Sequence, residues 1–432
     1  MFSRVFRRIF EVTPYDWRYR CALLAGWVWR RLMFRTTFIA ITGSVGKTTA
    51  VGLLSSILTT EDSTFTNFGS GNRTERILRA MFKVRFSHRF AVFEVATRGP
   101  GFLKRSAWLV RPDIAVILNV ARTHTRAFPT LDDTAVEKSV LLRYLRRNGT
   151  AVLNRDDSRV AAMAKLLPAG GRVVWFGCEP GAAVHGSEIS SHWPDDPLSF
   201  TISAGTETQR ARTQLVGEHW KTSVLGAVAA ALECRVSLQQ AVAALAEIRP
   251  PSGRMAPRTL PSGVTFLRDD YNPSEDTLHV ALEVLRQATA SRKILVFSGV
   301  IDTDESWTQR MARHCEAAAK IADLLVLISD RGCTRAGARA ARAAGMDESQ
   351  IAQFTNLREA SDFLKATCRA GDLVLLRGRL RDHIGRLYIA QKGEIGCWVA
   401  ECEVRTLCEA CPELQPAAGG LIAANEIRMA RS

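Results

Sequence analysis

The sequence predicts an α/β protein of two domains, and three observations carry that prediction. Apolar, strand-like runs alternate with helix-like stretches along most of the chain. A glycine-rich loop follows the first strong run and opens a helix. A proline-rich break past the middle then separates two such alternations. At about 150 residues per domain, a length of 432 leaves room for two or three domains and an ample core.

The first 35 residues stand apart. They carry Arg4, Arg7, Arg8, Arg18, Arg20, Arg30, Arg31 and Arg35 against only Glu11 and Asp16, with Trp17, Leu23, Leu24, Trp27, Trp29 and Phe34 interleaved. Such a basic aromatic helix suits an anionic membrane surface. A leading helix packed on the first domain with a solvated basic rim is the preferred reading, since its apolar positions do not form one clean stripe. The best apolar run, Cys21 to Trp29, is too short to span a bilayer and is stopped by Arg30 and Arg31. No secretory signal opens the chain. Six scattered cysteines (Cys21, Cys178, Cys234, Cys315, Cys333, Cys368) read as reduced core residues of a cytoplasmic protein.

From residue 36 the alternation begins. TTFIAIT, RFAVFEVA, PDIAVILNV and GTAVLN read as buried strands of a largely parallel sheet. Between about residues 172 and 216, VVWFG, LSFTIS and RTQLV read as short strands of an antiparallel patch, and TSVLGAVAAALE and SLQQAVAALAEI as helices. RPPSGRMAPRTLPSG, residues 249–263, holds four prolines and is the best linker. Beyond it, GVTFLRDD, KILVFSGV, ADLLVLIS and DLVLLRG predict four parallel strands separated by helices. The expected organisation is a basic segment (1–35), a nucleotide-binding central domain (36–250), a smaller α/β domain (262–395) and a cysteine-containing tail (396–432).

Composition narrows function only partly. A hydrophobic share of 47% and a charged share of 23% exclude global disorder, a collagen-like chain and a many-span membrane protein. The net charge of +15, from 58 Lys and Arg against 43 Asp and Glu, admits nucleic acid, an anionic membrane or small anionic substrates.

The loop is more specific. Gly43, Ser44, Val45, Gly46, Lys47, Thr48 and Thr49 lie between a strand and a helix. Glycines there let backbone amides approach phosphate oxygens, and the helix N-terminus favours the anion. Lys47 would reach the terminal phosphates and the Thr48 hydroxyl would ligate magnesium. The usual eight-residue phosphate-loop pattern is not met, because Ile41 stands where its first glycine belongs.

This shorter G-[ST]-x-G-K-T-T form resembles the ATP-dependent Mur ligase superfamily, most closely its D-alanyl-D-alanine-adding branch, and the resemblance runs from about residue 37 to 390. It implies a P-loop central domain with a mostly parallel sheet, followed by a smaller Rossmann-like α/β domain. It also implies magnesium ligands at Thr48, Glu94 (in AVFEVATRG) and His124, with Asn119 at its matching place in PDIAVILNVARTHTRAF. Lys138, fourteen residues past His124, matches a lysine that many members carry as a carbamate. Asn154 and Asp157 in AVLNRDDSRV match positions near the nucleotide. Arg254, in a Gly253-Arg254-Met255 hinge, matches an ATP-phosphate contact. Asp269 or Asp270 matches a ribose contact, with Tyr271 and Asn272 at the rim.

The chain also departs from the pattern. His219 is kept, but Trp220 and Ser223 replace two asparagines, while Arg377 and Arg379 replace a lysine and a serine. Pro100-Gly101-Phe102 occupies a step where the family has a glutamate. Only 42 residues precede Gly43, fewer than a UDP-sugar-binding domain occupies, so a different acceptor is expected. Arg377, Arg379, Arg381 and Arg386 suggest that an acidic substrate would suit the late loop.

The resemblance implies an ATP-dependent ligase that joins a small carboxylate to an amine through an acyl phosphate, with ATP and Mg2+ and no nucleic-acid partner. Two alternatives stay open: a basic P-loop ATPase acting on nucleic acid or at a membrane, and a nucleotide-binding regulator without turnover. Separately, Cys397, Cys402, Cys408 and Cys411 gather within fifteen residues. They read either as a structural zinc or iron–sulfur site or as buried thiols of a helix-rich tail.

Overall fold

The computed structural model describes residues 17–67, 74–97, 99–122, 127–271, 277–299, 305–399, 402–404 and 406–414. Two compact units emerge. The first is built mainly on the chain up to Ile248; the second begins at Arg249 and also takes in residues 191–197 and 215–217.

In the first unit, β1 (Thr37–Thr42), β2 (Thr64–Thr66), β3 (Phe90–Glu94), β4 (Ile114–Ile117), β5 (Thr150–Asn154) and β6 (Arg172–Gly177) begin a sheet. It continues through β7 (Val184–His192), β8 (Asp196–Ala204) and β9 (Glu207–Thr213). The order is β2-β3-β1-β4-β5-β6-β7-β8-β9. The centre is apolar because both faces are covered: Phe38, Ile39, Ala40 and Ile41 are fully buried. Each such large side chain contributes roughly 1.5–3 kcal/mol relative to exposure. The helices include α1 (Trp17–Leu32), α2 (Lys47–Thr59), α3 (Thr74–Met81), α4 (Phe102–Val110) and α5 (Leu131–Arg143).

Helix α1 is anchored by Arg30, only 4% exposed, which donates to Val110 O, Arg111 O and Asp113 Oδ2 at 2.8–2.9 Å. Burial pushes the Arg30 pKa down to about 10, against the pull of Asp113. Gly26 faces the same way. A Cβ there would lie 2.5 Å from Leu78 and 3.1 Å from Leu109, so the backbone sits directly on α3 and α4.

The expected antiparallel patch needs correction. VVWFG is β6, which pairs parallel with β5 and with β7. Strands β8 and β9 pair antiparallel. RTQLV is not a strand of its own, because β9 runs ETQRART and ends at Thr213. Only Ala211 and Thr213 of that strand are buried, so its pattern carries almost no apolar signal.

The second unit holds a six-stranded sheet of β10 (Ala256–Thr259), β11 (Thr265–Asp269), β12 (Arg292–Phe297), β13 (Leu324–Ile328), β14 (Ile351–Phe354) and β15 (Asp372–Arg377), in the order β10-β11-β15-β12-β13-β14. The four expected strands are parallel neighbours. Part of the expected linker is strand β10, antiparallel to β11 and containing Pro257, which an edge position tolerates. The cysteine segment packs on this unit. Cys408 and Leu414 join the core of Leu387, Ile389 and Ile395, Arg386 donates to Val399 O at 2.8 Å, and Glu409 pairs with the buried Arg268.

Among the described residues, no helix is long and apolar enough to cross a membrane.

Candidate nucleotide and metal site

The phosphate loop forms where β1 gives way to α2. Gly46 takes a left-handed φ of 81°, and a Cβ there would come 2.4 Å from Ser223 Oγ, so both backbone and space require glycine. Ser223 in turn donates to Gly46 O at 3.2 Å. The residue that replaced a family asparagine therefore supports the loop from beneath. Asn119, at the end of β4, accepts from the amides of Ser44 and Val45 at 2.9 and 3.0 Å and donates to Val45 O at 3.2 Å. Ser44 Oγ donates to Ala121 O at 2.9 Å. These bonds fix the loop against the neighbouring strand.

No side chain caps α2, and its first turn holds no acidic residue. Helix α5 is different, closed by a Thr130–Asp133 capping box. Uncapped amides at an N-terminus that begins Gly46-Lys47 suit an anion. Lys47 Nζ donates to Gly43 O and Ser44 O, both at 2.8 Å, so its ammonium lies over the loop. Thr49, by contrast, is 2% exposed and faces the interior.

Thr48 Oγ1 donates to Glu94 Oε2 at 2.8 Å. The hydroxyl at the start of α2 and the carboxylate at the end of β3 therefore meet, a pair of hard oxygen donors that fits magnesium. Asn67 holds Glu94 in place: its Oδ1 accepts from Glu94 N at 2.8 Å and its Nδ2 donates to Glu94 O at 3.3 Å. His124 lies outside the described residues, as does Asn272.

Lys138, on α5, is only 2% exposed. Burial first, and then the nearby Lys47, drive its pKa well below the ordinary 10.5, with Glu137 pulling the other way. Glu137 is itself buried. It accepts from Gly101 N and Leu103 N, each at 2.7 Å, and from Thr97 Oγ1 at 3.1 Å, capping α4. Sequence reasoning missed both Glu137 and Asn67; neither sits in a pattern that distinguishes it from an ordinary surface residue. Asn154 is buried, with Nδ2 donating to Leu118 O at 2.8 Å and Oδ1 accepting from Asp156 N at 3.0 Å. It braces strand ends, and Asp157 likewise caps a helix and accepts from Val120 N at 2.7 Å.

In the second unit, the guanidinium of Arg254 lies 4.9 Å from the Tyr271 ring centroid. Asp269 pairs with the fully buried Arg377. Burial raises the Asp269 pKa, opposed by Arg377 and Arg254. Asp270 is clamped by Arg268 through two bonds of 3.0 and 2.6 Å, both residues being 3% exposed. Arg379 binds Asp382 and lies 4.1 Å from the Trp307 ring centroid. Arg377, Arg379 and Arg386 thus engage groups of the protein itself. Of the four arginines expected to favour an acidic substrate, only Arg381 retains that argument.

Of the two readings of the cysteine segment, the zinc or iron–sulfur site is the one the described residues do not form. Among the described residues, no group of three or more His, Cys, Asp or Glu is placed to hold a metal ion. All ten cysteines are free thiols. Cys408 is buried in the core of the second unit, its Sγ 3.2 Å from His383 Nδ1. Burial pushes its thiol pKa up.

An α/β unit with a braced phosphate loop and a Thr–Glu oxygen pair, followed by a second, mostly parallel-sheet unit, defines a P-loop nucleotide-binding protein of two domains. The Mur ligase middle domain matches residues 41–231, and the Mur ligase glutamate ligase domain matches residues 253–380. The chain belongs to the Mur ligase family, whose members are ATP-dependent C–N bond-forming ligases. It is 30% identical over 361 residues to the UDP-N-acetylmuramoyl-tripeptide–D-alanyl-D-alanine ligase of Mycobacterium bovis, covering 79% of this chain and 70% of that one. The Escherichia coli enzyme of the same name is 26% identical over 281 residues, covering 65% and 61%. A crystal structure of MurF from Acinetobacter baumannii superposes with a TM-score of 0.78 at 24% identity, covering 87% of this chain and 80% of that one. MurF from Thermotoga maritima, in complex with ADP, gives 0.73 at 19%, covering 87% and 84%. The two structures establish the fold alone. The alternative of a basic P-loop ATPase acting on nucleic acid or at a membrane is not favoured by these relatives.

Proposed function

We propose that this chain ligates a small carboxylate to an amine in the cytoplasm, with Lys47, Glu94, His124 and Lys138 as the residues closest to the chemistry. One observation carries the assignment: a lysine buried beside the phosphate-loop lysine and driven toward its neutral form. A neutral amine is the form that adds carbon dioxide. Lys138 Nζ bonds to the carbon, one proton leaves, and the product is an anionic carbamate. Burial favours the neutral amine that reacts, and the positive charge of the nearby Lys47 favours the anion that results.

Thr48, Glu94, His124 and the carbamate of Lys138 would hold magnesium, which supplies positive charge to phosphate oxygens. Gly43, Ser44, Gly46, Lys47 and Thr48 would cradle the ATP phosphates, and Thr49 and Asn154 would hold the helix and strand that support them. Arg254 would neutralise phosphate charge, with Asp269 favoured for the ribose because its side chain is 15% exposed against 3% for Asp270, although each is paired with an arginine. The substrate carboxylate would attack the γ-phosphorus as ADP leaves. The amine would then attack the acyl carbon, losing a proton as phosphate departs.

The relatives are named for joining D-alanyl-D-alanine to a UDP-muramoyl-tripeptide, so that pair belongs in the first assay. Pooled acids and amines form the second. ADP release that requires both an acid and an amine is the expected result. Lys138→Ala should abolish it, with partial recovery on adding short carboxylic acids. Acid- and amine-independent ATP hydrolysis stimulated by DNA would overturn the ligase assignment. Retained activity in Lys138→Ala would overturn the carbamate.

A further inference from the structure

Helix α1 has two apolar faces, and the ligase function uses neither. The inner face, Tyr19, Ala22, Gly26 and Arg30, is buried on the first unit. The outer face carries Trp17, Cys21, Leu24, Val28 and Leu32 at spacings of three and four residues, all exposed. Trp17 is 68% exposed, Leu24 56%, Val28 43% and Leu32 49%. At 100° per residue these five fall within one strip along the helix. The sequence shows no single stripe because two stripes share one helix.

Charge borders the strip. Arg20 and Arg31 flank one edge and Arg18 the other, with Arg35 just past the helix end, and residues 17–35 contain no Asp or Glu. The sequence ahead of it holds Arg4, Arg7 and Arg8 against Glu11 and Asp16. Phe34 and Phe86, 75% and 63% exposed, add aromatic surface at the C-terminal end, where Phe86 packs 5.6 Å from the Trp29 ring.

We infer that this outer face of α1 docks the protein on an anionic lipid bilayer, lying in the interface without crossing it. An apolar strip with a tryptophan and arginine edges matches acyl chains beneath acidic headgroups. A second copy of the chain is a poorer occupant, because the same strip laid on itself sets Arg18, Arg20 and Arg31 against their counterparts with no acid between them. The inference is independent of the ligase reading and requires no ATP turnover.

The test is co-sedimentation of the full chain with phosphatidylcholine vesicles and with vesicles of equal parts phosphatidylcholine and phosphatidylglycerol. Binding is expected only to the anionic vesicles, and it should weaken with added salt. Leu24→Glu should weaken it about tenfold or more, and the pair Arg18→Glu, Arg20→Glu by a similar factor. Both sets of side chains are exposed, so thermal melting should match that of the unsubstituted protein. Quenching of tryptophan fluorescence by brominated lipid should fall in Trp17→Phe while binding persists. Absence of anionic-vesicle binding, or binding unchanged in Leu24→Glu, would overturn the inference. So would a shift to a smaller oligomer in Leu24→Glu, which would make the strip a protein–protein interface.

Discussion

The carboxyl ends of the two central sheets both gather charged side chains, and they treat that charge in opposite ways. At the end of the second sheet, Arg377 pairs with Asp269, Arg268 with Asp270 and Glu409, and Arg379 with Asp382. Charges there cancel one another within the protein. At the end of the first sheet, Lys138 is buried near Lys47, a like charge, and Thr48 already meets Glu94. The contrast separates two uses of buried charge. Cancelled pairs hold a loop in shape, whereas crowded like charges are tolerated where an anion is due to arrive.

The comparison breaks most visibly if the two clusters respond alike to substitution. Asp270→Ala leaves Arg268 buried with Glu409 as its remaining carboxylate, and the expected loss of stability is about 1.5–3 kcal/mol, the worth of the charged hydrogen bonds removed. Urea unfolding measures it; a loss under about 1 kcal/mol would mean that the clamp is not structural. Lys47→Ala should do the reverse. Its ammonium contacts loop carbonyls, so folding should change little, while ADP release in the ligase assay should fall about a hundred- to a thousandfold. A large fall in melting temperature would instead make Lys47 a structural residue.

Glu137 sharpens the comparison at smaller scale, because it sits beside Lys138 yet serves a cap. Glu137→Gln keeps one acceptor for the α4 amides and loses the other, an expected cost of about 1–2 kcal/mol. If activity falls far more than stability, Glu137 acts on Lys138 as well as on α4.

Much of the first cluster was legible in the sequence because local chain order builds it: strand, glycine loop and helix place Lys47 and Thr48 without help from distant residues. The long-range braces were not. Asn67 reaches Glu94 across 27 positions and Ser223 reaches Gly46 across 177, and neither residue type announces such a partner. The fold shows the same division. The central strands are buried on both faces and stand out as apolar runs. The edge strands β2, β9, β10 and β14 did not stand out, being short, polar on one side or, in β10, interrupted by Pro257. Arg377 misled for a related reason. As a sequence feature it suggested an anionic substrate, and only burial against Asp269 gives it a structural partner.

The finest test of poised charge is the pH dependence of stability, measured on Lys138→Met against the unsubstituted protein in buffer depleted of carbon dioxide. Folding lowers the Lys138 pKa well below 10.5. Between the folded value and 10.5, the unfolded chain therefore holds a proton that the folded chain has released. Stability must rise with pH across that window and fall as pH drops toward the folded pKa, by at most about 1.4 kcal/mol per pH unit from this group. Below the folded value both states are protonated, the slope ends, and the full penalty remains. Lys138→Met removes the proton and the slope while keeping similar volume. The variant should match the unsubstituted protein near pH 10.5 and exceed it increasingly as pH falls. Parallel stability curves across the window would show that Lys138 keeps an ordinary charge when folded, and the two clusters would then differ in partners but not in principle.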